Sequence, residues 1–533
     1  MSRYLFFGIT PKRVGLSNKN EHVVKNPALN RYESLILALL WGVAELLCYC
    51  HQDRLPGAKS TPVDKSFGGQ KYSLNNWKKV LYKKGGGSIF ESSKAKKETT
   101  TMNEQQNQTR SFVQVKSSKF IDTVSKGYSK PVRNFFNDMI TGICGTGKPS
   151  LHNIAKYTPD NTSTKKTSER LYRNILRENL AEDIEDILTE LIRPQVTNDT
   201  LFIVDDSDIA KPYAKSMEGC AKVHNGSESK STNGYLLMNI FALLTKQDGY
   251  SLLPASSILF SPSIELDSAK QVLQDKIVDQ QIAFRNKGTY VFDRGYDDRK
   301  LIDFLVENGV SFVIRGMGRR AIREGMDEKN FKEEVDKMKF KYKFCGLRKG
   351  EELHCATQRI GVRTDDHPSK KANSVEISLV AVRKYRNGSR KGKDFYLLCN
   401  FDDPHMSEQD LIAKAIDIYR KRWAIEEVHR QVKQSMKWES MRLKTYRGMK
   451  NLNAFMALAI YFIYKLKDHI HILAIGFPKL IIYKKSDRYK VMQFSYYRIC
   501  EVVATCLTLV VRYRRRPSIE ERRDRWQRKI RLD

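Results

Sequence analysis

Three acidic residues stand where chemistry is easiest to build. Asp205 closes the apolar run LFIV, Asp293 closes TYVF, and Glu426 lies inside YRKRWAIEEVHRQVK at 419–433. Acids at strand ends project into the crevice beyond a sheet, where α/β folds assemble their sites. Three carboxylates gathered without a counter-ion repel one another, so the set implies Mg²⁺ or Mn²⁺. Two such ions, about 4 Å apart, polarise a phosphodiester and activate the attacking oxygen. Within VDDSD, strand alternation sends Asp206 to the face opposite Asp205. Asp206 and Asp208 then read as hydrogen-bonding or capping residues, with Asp206 a rival for the metal. Asp297 and Asp298 read as N-caps of the following helix.

The segment around Glu426 has its own logic. On a helix at about 100° per residue, Tyr419, Arg422, Glu426 and Lys433 share a stripe roughly 60° wide. Glu427 points about 80° away from Tyr419 on the same wheel. A carboxylate flanked by a phenol, a guanidinium and an ammonium suits a metal held beside a phosphate backbone. A solvated charged face is the competing reading. His429, beside the stripe, reads as a packing or phosphate-contact residue rather than a general base. For Trp423 and the apolar positions of 452–463, core packing is expected.

The elements that must position these residues follow from pattern. Residues 1–101 mix an apolar patch with GGQ, KKGGGS and SSKAKKETTT, so a poorly ordered extension is expected, with Met102 opening the next segment. Residues 102–200 read as a helical, helix-turn-helix-like DNA-binding domain. It contains PVRNFFNDMITGIC, then SLHNIAKYT with Ser150 as N-cap, then a third helix capped by Thr167 or Ser168. On that third helix Arg170, Arg173 and Arg177 share a face suited to phosphates. GICGTGKP nearly spells a phosphate loop, but Pro149 replaces the hydroxyl that would hold magnesium, so it reads as a turn. The next helix, LAEDIEDILTELI, carries five acids and should face away from DNA. Residues 201–445 read as an α/β catalytic domain with an antiparallel β insertion at about 316–400. Its last long helix runs from Ser407 through the 419–433 motif. Residues 446–533 read as a helical, basic C-terminal region.

Bulk properties narrow the function. The chain has 533 residues, 94 Lys plus Arg against 61 Asp plus Glu, and a net charge of +33. That imbalance implies a polyanionic partner, nucleic acid or an acidic membrane surface. Neither 34–50 nor 457–477 offers the roughly 20 uninterrupted apolar residues of a spanning helix, and no signal peptide is expected. Nine cysteines without C-x2-C spacing argue against zinc and for a reducing, intracellular compartment.

Tyr419, Arg422, Glu426 and Lys433 spell Y-x2-R-x3-E-x6-K, which resembles the signature of DDE transposases of the insertion-sequence-four group. VDDSDIAKPYAK at 204–215 resembles that group's first-aspartate block, and VFDRGYDD at 291–298 its second. The likeness covers roughly 128–500. It implies an RNase H-like mixed sheet with a β insertion, flanked by helical regions. In the group's pattern the metal ligand precedes a Ser or Thr by two residues, which selects Asp205 with Ser207. The resemblance further implies two divalent ions per site and double-stranded DNA, both terminal inverted repeats and target, as partner. It also implies a homodimer or larger synaptic assembly, and a cytoplasmic, nucleoid-associated location in a prokaryotic cell. Tyr419, Arg422, Lys433 and Arg430 would contact DNA. The expected reaction is hydrolysis at transposon ends followed by attack of the freed 3′-hydroxyl on target DNA. In some members a hairpin intermediate is held by an aromatic residue of the insertion, and no Trp lies between Asp293 and Trp423. A catalytically inactive, transposase-derived DNA-binding regulator is the alternative, with a general RNase H-like nuclease third.

Overall fold

The computed structural model describes residues 89–514 except 161, 226–229, 247–248, 325–326, 364–373, 402, 404, 486–487 and 492–495. Residues 1–88, the basic tail 515–533 and the apolar segment 34–50 lie outside the described residues. All described elements belong to one compact unit. Helix α1 (Ile89–Val124) runs through Met102, which therefore sits mid-helix instead of opening a segment.

Helices α2 (Lys130–Thr146), α3 (Leu151–Tyr157), α4 (Thr164–Ile175) and α5 (Leu180–Ile192) follow. Val132, Phe135, Phe136, Met139 and Ile140 form the buried face of α2, as their spacing requires. Gly147, at φ 63°, closes α2 by donating its N–H to Ile143, so GTGKP is a turn between helices. Helix α4 starts earlier than expected. Its cap is Ser163, which accepts from Lys166 N, because the Thr167 hydroxyl turns inward to Asp160 at 2.7 Å.

The central sheet is built from β1 (Leu201–Ala210), β2 (Ala221–Asn225), β3 (Lys230–Lys246), β4 (Gly249–Phe260), β5 (Thr289–Phe292) and β6 (Phe312–Gly316). β4, β3 and β1 are antiparallel neighbours, whereas β1–β5 and β5–β6 are parallel. Helices α6 (Ala269–Phe284) and α7 (Arg299–Glu307) make the parallel connections. Pro254 is tolerated in β4 because that strand pairs only with β3, at a register shift beside Phe241.

The segment after β6 widens the same sheet. It contains β7 (Ala321–Glu324), β8 (Asp327–Asn330), α8 (Phe331–Lys337), β9 (Tyr342–Cys345), β10 (Glu351–Arg363), β11 (Ser374–Arg386), the short β12 (Ser389–Arg390) and β13 (Phe395–Asn400). β13 lies antiparallel to β6, then β11 and β10 continue outward. The result is a mixed α/β sheet with an antiparallel extension, consistent with an RNase H-like fold.

The helix expected from Ser407 through 433 is not continuous. α9 (Glu408–Lys421) stops at Arg422–Trp423, and α10 (Ala424–Arg430) resumes before a wide π turn at Gln431–Ser435. The break has a visible cause. Arg422, Ile425 and Glu426 bond backwards by three residues rather than four, which overwinds the chain locally. Gln431 then accepts from Tyr464 and donates to Cys500 at 2.7 Å, which anchors the bulge.

Helix α11 (Tyr446–Lys465) is buried on all sides, including every position of 452–463, and packs on β4. It is a core helix of this unit. α12 (Ile470–Gly476) and α13 (Tyr496–Arg514) complete the helical layer. Among the described residues no helix is long and apolar enough to cross a membrane.

Candidate active site

Val204 and Phe292 pair across the parallel strands β1 and β5. The next residue of each, Asp205 and Asp293, therefore leaves neighbouring strands at one level. β5 ends there, while β1 continues to Ala210 along β3. Asp293 thus follows the end of its strand as expected, whereas Asp205 lies inside β1, which runs on because β3 keeps pairing with it to Ala210. The place where β5 stops carries both acids.

Arg422 joins them to the helix. Its buried guanidinium lies 3.5 Å from Asp205 Oδ2 and donates to Glu426 Oε1 at 3.0 Å. One turn earlier, Tyr419 donates its hydroxyl to Asp293 Oδ1 at 3.5 Å. Asp205 and Glu426 thus meet on one guanidinium, and Asp293 adds its charge to the same surroundings. Burial pushes the Asp205 carboxyl up to about 7, with Arg422 opposing and Asp293, Asp206 and Glu426 reinforcing the rise. Lys433, within the π turn, is 3.9 Å from Glu439 and partly exposed. Arg430 pairs with Glu427 at 2.6 Å. Trp423 is not a core residue: it is 58% exposed, because Ala424, Ile425 and Val428 take the inward face of α10.

Asp206 lies beside Tyr296 and shares with Asp205 and Asp293 a cleft of about 320 Å³ that Lys270 and Asp298 also line. Asp298 caps α7, accepting from Leu301 N at 3.2 Å, and pairs with Lys270 at 2.8 Å. Asp297 is no cap. It pairs with Arg320 and accepts from Met317 N at 2.7 Å, so it ties the η-turn after β5 to the exit of β6.

Several contributors escaped sequence reasoning. Lys211, buried at the end of β1, donates to the carbonyls of Trp438, Glu439 and Met441 at 3.0, 2.7 and 2.9 Å. It clamps the strand that bears Asp205 to the loop that follows the glutamate helix. Arg315 stacks over the Tyr419 ring from the end of β6, 5.9 Å from its centroid. His429 lies 3.7 Å from Asp205. The available signal was a polar residue inside an apolar strand, Asn239 in LLMNIFALL, which faces this histidine.

The three arginines expected on the third helix separate, and Arg177 lies past its end because α4 stops at Ile175. Arg170 is engaged by Asp138 at 2.9 Å and Asp160 at 3.3 Å, because α4 packs across α2. Arg177 is exposed beside Asn174. Arg173 opens into a groove of about 1290 Å³ shared by α3, α4 and residues 437–444. Lys148, Lys165, Lys437, Arg442 and Lys444 line the same groove, with Glu169 the one acid.

Among the described residues no three His, Cys, Asp or Glu side chains form a ready metal cluster. Arg422 stands among the three acids instead. The donor set nevertheless fits a hard divalent ion: all three groups are carboxylates, and Asp205 carries excess negative surroundings that a cation would relieve. A cation there competes with the guanidinium.

Residues 198–462 match the family model of the transposase DDE domain. The match runs from just before β1 into α11 and includes Asp205, Asp293, Tyr419, Arg422, Glu426 and Lys433; it supports a DDE transposase. No curated protein matches the sequence.

Proposed function

We propose that this chain is a DNA transposase of the insertion-sequence-four group, with Asp205, Asp293 and Glu426 as its catalytic acids. The observation that carries this reading is the meeting of Asp205 and Glu426 on Arg422, where β5 stops at Asp293 beside β1. The reaction is metal-dependent hydrolysis at transposon ends, followed by transfer of the 3′-hydroxyl strand into target DNA.

Asp205, Asp293 and Glu426 would hold Mg²⁺ or Mn²⁺, which supplies charge neutralisation and an activated oxygen when bound. The protein's own groups do the rest. Arg422 and Lys433 hold the phosphate beside the acids, as a fork and as a point charge respectively. Tyr419 fixes Asp293 through its hydroxyl while Arg315 covers its ring. Lys211 keeps the loop at 438–441 against β1, so the groove that starts at Lys437 stays in register with the acids. That groove suits the phosphate backbone of a duplex. A homodimer or larger assembly on paired ends is part of this proposal.

The test is a nicking assay with the full chain, Mg²⁺ and DNA bearing the inverted repeats that flank its own gene. Nicks with 3′-hydroxyls at the repeat termini are expected. DNA bound but never nicked, with either metal, would instead favour the inactive regulator.

A further inference from the structure

A line of polar side chains crosses three neighbouring strands behind Asp205. Asp205 on β1 is in register with Asn239 on β3, and Asn239 with Ser257 on β4. Directly opposed residues in an antiparallel pair share a face. Helices α10 and α11 cover that face, contributing His429 and Asn453. A polar group inside such a layer is retained at a cost unless its partners are complete.

The partners fix the direction of every hydrogen bond. Asn453 Nδ2 donates to the Ser257 carbonyl at 2.6 Å and approaches the Ser257 hydroxyl at 3.3 Å, which orients that amide. The Ser257 hydroxyl then donates to Asn239 Oδ1 at 2.8 Å. With its oxygen accepting, Asn239 presents Nδ2 to His429 Nε2 at 3.1 Å. Nε2 must accept, so the ring proton belongs on Nδ1. Nδ1 is the atom that faces Asp205 Oδ2, at 3.7 Å, slightly beyond hydrogen-bond distance. Arg422 approaches the same oxygen at 3.5 Å. Both protein donors thus lie on Oδ2, and among the described residues no hydrogen bond to Oδ1 is formed.

We infer that His429 is a positioning residue for Asp205. The chain Asn453–Ser257–Asn239 locks it as the Nδ1–H tautomer, and it steers Oδ2 so that Oδ1 points into the site. The role resembles that of the outer partners of metal-binding carboxylates, whose loss costs about 10–100-fold in affinity or activity. This rests on reading Asp205 as a catalytic acid.

The tautomer is read directly in the resting, metal-free full chain, by long-range proton–nitrogen correlation after labelling with ¹⁵N-histidine. The chain has 10 histidines, and His429 is identified by the signals that vanish in His429→Asn. The inference requires a protonated Nδ1 and a bare Nε2. A protonated Nε2 would overturn it. Asn239→Asp presents an acceptor in place of the donor, so the proton should move to Nε2; an unchanged tautomer contradicts the chain. Activity gives the second arm. An asparagine amide can occupy the Nδ1 position, whereas a glutamine amide reaches only Nε2. Cleavage should therefore fall about 10–100-fold in His429→Gln and recover substantially in His429→Asn, with DNA binding unchanged. The reverse order overturns the positioning role. Were Asp205 not catalytic, the tautomer result would stand while Asp205→Asn kept full activity, so the two failures are distinguishable.

Discussion

Arg422 lies 3.5 Å from Asp205, a residue at the break between two helices set against the middle of a strand, and neither side chain is more than one-fifth exposed. The pair joins the two halves of the site. It also makes the metal-free site dependent on a single cation, since Glu426 draws on the same guanidinium.

Removing that cation should therefore be costly. Arg422→Met leaves Asp205 and Glu426 facing one another without compensation. Loss of one partner of a buried pair costs about 3 kcal/mol. Urea unfolding at pH 8 in divalent-free buffer should show a deficit of that order. A midpoint equal to the parent's would show that the guanidinium does not compensate these acids.

The pH dependence of stability has a definite sign. Folded Asp205 titrates at about 7, against an ordinary carboxylate value near 4 when unfolded. The folded state holds the proton more tightly, so this group's contribution is complete below about pH 4 and is lost as pH rises through 7. In divalent-free buffer, Asp205→Asn should melt above the parent at pH 8 by at least roughly 2–4 °C, the shift that about 1 kcal/mol produces. The gain should vanish at pH 4. An equal difference at both pH values would contradict the assignment.

Lys211 is the clamp between β1 and the loop after the glutamate helix. Lys211→Met removes the donor to three carbonyls at once, at an expected cost of about 2–4 kcal/mol. Hydrogen exchange should quicken in residues 436–444 before the sheet is affected. Uniform destabilisation, with no local quickening, would argue that the clamp is ordinary core packing.

The basic groove and the buried arginine predict opposite phenotypes. Arg173→Ala, Arg442→Ala and Lys444→Ala should weaken duplex binding with little change in melting temperature. Each should lower the slope of log affinity against log salt by about 0.9. Arg170→Ala should instead destabilise the fold, because Asp138 is left buried. Titrations at several salt concentrations, with a melt of each variant, separate the two.

How much of this was legible beforehand depended on periodicity. The two aspartates were readable because LFIV and TYVF are buried runs that stop at an acid, though only TYVF ends its strand there; β1 runs on to Ala210 because β3 keeps pairing with it. The antiparallel insertion was readable from alternation, and the interior of α11 from its unbroken apolar composition. The wheel around Glu426 was not. The turn at Arg422–Glu426 is overwound, and the π turn at Gln431–Ser435 is anchored by tertiary partners, Tyr464 and Cys500, that local pattern cannot supply.

The same limit explains the individual misses. Trp423 looked like core by composition, but only the placement of α10 shows it outward. Asp297 looked like a cap because it precedes a helix, yet Arg320 sits within its reach. Lys211 looked like one basic residue among many, and its role exists only where β1 meets the 438–441 loop.

The most direct measurement compares end nicking by the parent, Asp205→Asn, Asp293→Asn and Glu426→Gln, on one DNA substrate with Mg²⁺. Each substitution should cut the rate by at least about 10³-fold while the affinity for that DNA stays at the parental value. Parental nicking by any one of the three would remove that acid from the site and contradict the account.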